Sequence, residues 1–149
     1  MITIDQYLLF VFIVSVLINL ASTLMFLSRV HRPEYTNPLA IFAIILGLPA
    51  LVLMMLGVTN DFGIAYWIMP LLYVVFSVFA LSVDFIWKIE FRQPRRLEIL
   101  IPFLLLYFVS LIGMWGMLWN LGLVYWVISG VTYFSMVASA IYALRKGVG

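Results

Sequence analysis

The chain has 149 residues, 66% of them hydrophobic and 9% charged, and it has no cysteine. That composition excludes an ordinary soluble domain, and the missing thiols exclude disulfides, thiolate metal sites, iron–sulfur clusters and cysteine nucleophiles. The net charge of +2 is too small for a nucleic-acid footprint.

The first apolar run follows a segment that carries Asp5 and no basic residue, and it has no clear small-x-small cleavage site. It reads as a retained helix over about 5–28, not a cleaved signal peptide, with Thr3 or Asp5 capping its first amides. A second span is expected over about 38–57, with Asn37 as cap and Pro38 in the first helical position. Thr59, Asn60, Asp61 and Gly63 then make a tight turn. The third span reads as 62–90, roughly 44 Å of helix, which must tilt or push its charged end out of the bilayer. Gln93-Pro94 closes it. A fourth span over 97–119, a turn at Asn120-Leu121-Gly122 and a fifth span over 123–145 complete the chain. Pro49, Pro70 and Pro102 fall inside spans, so each frees a carbonyl that a hydroxyl or water must satisfy.

All eight basic residues fall on one side of this pattern. Arg29 and Arg32 follow the first span, Lys88, Arg92, Arg95 and Arg96 the third, and Arg145 and Lys146 the fifth. The positive-inside rule puts the N-terminus outside and the C-terminus in the cytoplasm. Tyr66, Trp67, Trp115, Trp119, Tyr125 and Trp126 gather near the opposite ends as an interfacial belt. The reading is therefore an all-α, integral membrane five-helix bundle: one transmembrane domain over 1–149, in the cytoplasmic or inner membrane.

An internal echo accompanies it. Asn60-Asp61-Phe62-Gly63 leading to Tyr66-Trp67 resembles Asn120-Leu121-Gly122 leading to Tyr125-Trp126, about 60 residues on. A parallel duplication of one hairpin (spans 2–3 and 4–5) leaves such a pattern, as parallel repeats do in transporters. Independent selection of glycine turns before interfacial aromatics leaves it too.

Polar residues inside spans normally face the bundle. Ser15, Asn19, Ser22 and Thr23 share a face of span one; Tyr66, Pro70, Tyr73, Ser77 and Asp84 share one of span three; Tyr125, Ser129, Thr132, Ser135 and Ser139 share one of span five. Span four offers Tyr107, Ser110 and Gly113, with Gly116 one step on. Two uses fit such stripes. Hydroxyls and small residues let helices pack closely; alternatively Asn19, Tyr66, Tyr73, Ser77, Asp84, Ser129 and Thr132 line a ligand site. Asp84 has Lys88 at i+4 and Arg92 at i+8, which reads as an ion-pair ladder or as a coupling carboxylate. Arg29, Arg32, Lys88, Arg92, Arg95 and Arg96 read either as topology signals or as a lipid-headgroup or partner dock.

His31 is the only histidine, and no Ser-His-Asp set or intramembrane carboxylate pair is present. No enzyme activity, metal or cofactor is expected. The stretch Arg32-Pro33-x-Tyr35-Thr36-x-Pro38 after a first of five spans is similar to the tryptophan-rich sensory/translocator protein family, whose members bind porphyrins and sterol-like ligands. This chain departs from that pattern: a Trp-rich second span is missing, and Pro102-Phe103-Leu104 echoes the family's final-span signature in span four instead. No residue role carries over. Two functions follow from the residues: binding or transport of a small or lipophilic solute as a homo-oligomer, or a non-catalytic accessory subunit of a larger membrane complex. The first predicts that Asn19→Leu or Ser77→Leu removes ligand binding with the fold intact. The second predicts that Gly113→Leu, on an outward face, breaks a partner interface.

Overall fold

The computed structural model describes residues 2–90 and 96–148, and among these every regular element is helical. Five helices are long and apolar enough to cross a membrane: Ile4–His31, Pro33–Thr59, Ile64–Ile86, Leu97–Asn120 and Leu123–Arg145. This is a multi-pass membrane protein.

Helix α1, Ile4–His31, starts at Thr3 in a complete capping box with Gln6. The second span begins earlier than its Asn37-Pro38 pair suggests. A 3₁₀ turn, Pro33–Tyr35, feeds α2, Thr36–Ile45, so Pro33 takes the opening position and Pro38 lies within the first turn of α2. The span then breaks at Leu46 before α3, Gly47–Thr59. Pro49 has no N–H to offer the carbonyl four residues back, which explains the break.

Helix α4, Ile64–Ala80, continues into a π-helical segment, Leu81–Ile86, and stops there. The expected extension to residue 90 does not form. The amides of Trp87 and Ile89 reach back to Ser82 (2.8 Å) and Val83 (2.9 Å), over-wide turns that close the helix. Lys88 then takes φ +50°. Asp84 and Lys88 therefore do not share the helical face that the ion-pair ladder assumes. Its third member, Arg92, lies outside the described residues. Helix α5, Leu97–Met117, ends in a 3₁₀ turn, Leu118–Asn120, and α6 covers Leu123–Arg145 as read from the sequence.

Both turns opposite the basic end use glycine where only glycine is comfortable: Gly63 has φ +102° and Gly122 φ +141°. The Asn120 amide donates to the Tyr66 hydroxyl at 3.2 Å and ties the two turns together.

Helix α1 is the axis of the bundle. It packs along α6 on one side and against α2, α3 and part of α5 on the other, while α4 lies between α3 and α5. Its buried face reads Tyr7, Leu8, Val11, Val14, Ser15, Ile18, Asn19, Ser22. Contact between α5 and α6 is sparse by comparison. Trp115 carries ring contacts across it, to Trp126, Tyr133 and Phe134. The two hairpins that echo each other in sequence are thus packed differently: α3 lies along α4, whereas α6 leaves α5 for α1.

Candidate functional site

The stripe on α4 serves packing and backbone repair. Pro70 leaves the Tyr66 carbonyl without its helical donor, and the Tyr7 hydroxyl from α1 donates to that carbonyl. The Tyr73 hydroxyl donates to the Ala43 carbonyl at 2.8 Å, just before the break in span two. Ser77 returns its hydroxyl to the Tyr73 carbonyl at 2.9 Å and lies against Gly47. A Cβ on Gly47 would stand 2.6 Å from the Ser77 oxygen. Ser77→Leu therefore disrupts the fold, and it is not the clean ligand test that the sequence suggested. Gly113 likewise faces Met69 of α4, not the lipid. The outward glycine of the pair is Gly116, which has nothing within 4 Å.

Asn19, Ser129 and Thr132 do come together, in a seam between α1 and α6. The Ser15 and Ser129 hydroxyls meet at 3.3 Å, and Asn19 donates its amide to Thr132 at 3.1 Å. Thr132 spends its own proton on the Ser129 carbonyl at 2.8 Å. Its oxygen is therefore an acceptor toward Asn19, which must present its NH₂ there. The Asn19 Oδ1 is left pointing elsewhere.

That oxygen is buried and has no partner, and the same holds for Ser22 Oγ and the Tyr107 hydroxyl. The three residues are 2%, 1% and 5% exposed. Asn19 and Ser22 are one turn apart on α1. Tyr107, on α5, puts its hydroxyl within hydrogen-bonding reach of Ser22, although the two are not aligned for a full bond. Position along α1 puts Asn19 about 22 Å from the helix start and about 18 Å from its end, near the middle of the span.

Elsewhere hydroxyls are satisfied. In α1, Ser15, Thr23 and Ser28 each donate to a carbonyl a turn earlier. Ser77, Ser82, Ser110, Thr132, Ser135 and Ser139 do the same in their helices. Tyr7 and Tyr73 reach carbonyls. Ser22 and Tyr107 depart from this rule side by side. An unsatisfied polar group away from water costs several kcal/mol by order of magnitude, and a Ser22–Tyr107 hydrogen bond relieves two of the three groups.

Sequence reading placed Ser22 and Tyr107 on inward faces without selecting them. The available signal was depth: Tyr107 lies ten residues into its span, too deep for its hydroxyl to serve as an interfacial anchor. Ser135, read as part of the inward face of span five, instead lines an outer groove.

At the basic end, an open recess of about 1110 Å³ includes Arg29, Thr36, Asn37, Asp84, Lys88 and Glu90 in its lining. Two of the basic candidates, Arg29 and Lys88, are thus brought together with Asp84. Arg32 is not part of that lining and faces Glu34 at 3.7 Å, with both side chains more than half exposed. Such a pair contributes little. Arg96 is exposed at the start of α5. Arg92 and Arg95 lie outside the described residues. Asn19, Ser22, Phe26 and Arg29 follow each other on α1 at steps of three, four and three. The Arg29 guanidinium sits over the Phe26 ring at 5.3 Å, so one face of α1 leads from the recess to the unsatisfied cluster.

No known protein family, curated protein or solved structure matches this chain.

Proposed function

We propose that this protein binds, and as a homo-oligomer passes, a small or lipophilic solute within the membrane, its N-terminus outside and its basic end in the cytoplasm. One observation carries the reading: the polar side chains of Asn19, Ser22 and Tyr107 are buried near mid-span, and Asn19 Oδ1 has no protein donor, where purely apolar packing would have removed such groups. The polar face of α1 supplies an approach from the recess lined by Arg29 and Lys88. The shared turn chemistry of Gly63 and Gly122 supports the parallel hairpin repeat found in some transporters. Sidedness rests on the distribution of basic residues.

The test is gentle extraction from the native membrane followed by native mass spectrometry. The wild type is expected as a homo-oligomer with a defined adduct, and Asn19→Leu as the same oligomer without it. An adduct unchanged in Asn19→Leu would remove the cluster from the binding site.

The accessory-subunit reading has its own observation. A shallow apolar groove of about 530 Å³ runs along the outer face of α6, lined by Trp115, Trp126, Gly130, Phe134, Ser135 and Ala138 among others. Small residues of this kind admit another helix closely. Co-extraction of a second polypeptide in fixed ratio, lost on Ala138→Leu at an exposed position of the groove, would favour it.

A further inference from the structure

The recess at the basic end is shaped by a departure from regular helix. Had α4 continued past Ile86, Glu90 would lie about 120° round its axis from Asp84. Instead the turns widen to π geometry over Leu81–Ile86, and Lys88 takes φ +50°. Both features are uncommon, and both gather at functional sites. Here they leave Asp84, Lys88 and Glu90 bordering one recess of about 1110 Å³, together with Arg29 from the last turn of α1.

Charge, polarity and depth select the occupant. Among the described residues the lining carries two cations, Arg29 and Lys88, and two carboxylates, Asp84 and Glu90. Equal charges of both signs complement a group that also carries both and has no net charge. Much of the remaining lining is apolar, with Ile41, Phe85, Ile89 and Val148. Trp87, 64% exposed beside Lys88, marks the level of the lipid headgroups, where tryptophan settles. A zwitterionic head on apolar chains, at that level, is a phospholipid.

The donors narrow the class further. Arginine and lysine both suit a phosphate. A quaternary ammonium has no N–H to give a carboxylate, whereas a primary ammonium has three. A glycerol phosphate head is a net anion and meets two carboxylates. A soluble zwitterion leaves the apolar side of the recess uncovered.

We infer that this recess is a binding site for a zwitterionic phospholipid with a primary ammonium, a phosphatidylethanolamine. Its phosphate lies toward Arg29 and Lys88, its ammonium toward Asp84 and Glu90, and its chains along the apolar lining. This goes beyond the solute reading, because it concerns a lipid at headgroup level and not the buried groups near Asn19.

The test titrates full-length protein in detergent with phosphatidylethanolamine, phosphatidylcholine and phosphatidylglycerol of identical chains, and counts retained lipid by native mass spectrometry. The ethanolamine lipid is expected to be held about tenfold more tightly than either other, the effect of one charged hydrogen bond. Lys88 and Glu90 are exposed, so their substitution spares the fold. Glu90→Gln should narrow the preference for ethanolamine over choline. Lys88→Gln should weaken both of those lipids alike, through the phosphate. Asn19→Leu should leave the preference unchanged. Equal retention of ethanolamine and choline lipids overturns the ammonium assignment, and preference for the glycerol lipid reduces the site to simple basic attraction. A preference that neither Glu90→Gln nor Lys88→Gln alters places the lipid elsewhere, and one lost in Asn19→Leu moves it to mid-span; each overturns the recess. Displacement by equimolar glycerophosphoethanolamine, which has no chains, would make the ligand a soluble headgroup and overturn the lipid.

Discussion

Two tyrosines show how single residues repair backbone that proline leaves open. Pro70 removes the donor for the Tyr66 carbonyl, and Tyr7 replaces it from another helix. Tyr7→Phe should cost about 1–3 kcal/mol, the usual penalty for orphaning a buried acceptor. In a Pro70→Ala background the helical N–H returns, so the same change should cost less. A double-mutant cycle on unfolding in detergent measures that coupling, and additive effects would show that Tyr66 finds another donor. Glycines separate in the same way. Gly47→Ala sets a Cβ 2.6–2.7 Å from Ser77 and should destabilise by about 1–3 kcal/mol through overpacking. Gly116→Ala meets nothing, and should be neutral or stabilising by up to roughly 1 kcal/mol from helix propensity. Denaturation midpoints of the two variants decide whether the contrast holds. Serine and tyrosine identities alone did not single out the unsatisfied cluster, because partnership depends on where neighbouring helices put their oxygens.

Among the elements, spans with strong local signals ended where the sequence placed them. The glycine turn and the apolar run of α6 give Leu123–Arg145, and Gln6 makes Thr3 the cap of α1. Departures fell in spans two and three, at a proline and at a widened helix end. Span two broke at Leu46, with Ser77 pressed against Gly47 and Tyr73 holding the carbonyl of Ala43. Span three stopped at Ile86 because its last turns widened to π geometry, which hydropathy does not report. Gly63 and Gly122 carry the two turns at φ +102° and +141°. Alanine at either should cost about 1–2 kcal/mol, since a Cβ is disfavoured there. Thermal unfolding of Gly122→Ala provides the check, and an unchanged midpoint would mean the turn relaxes to negative φ.

On the scale of the whole molecule, the proposed sidedness is directly testable. The absence of cysteine makes single-cysteine labelling clean. Asp61→Cys should react with an impermeant maleimide in intact cells, and Lys146→Cys only after the membrane is opened. The reverse pattern would invert the proposed topology. The exposed apolar side chains, among them Leu24, Leu48, Val78, Leu105 and Phe134, suit contact with lipid or with another subunit.

Composition and periodicity were sufficient for the membrane class, the number of spans and most of their ends, because a bilayer demands long apolar helices whatever their neighbours. They also brought Asn19, Ser129 and Thr132 forward, but within a set that included Tyr66, Tyr73, Ser77 and Asp84, which the α1–α6 seam does not contain. Tertiary structure alone decided that α1 is the axis, that the α4 stripe packs against α2 and α3, and that Ser22 and Tyr107 meet between α1 and α5. Those outcomes depend on helix rotation and on which carbonyl each hydroxyl meets, and a sequence of apolar residues with few charges constrains neither.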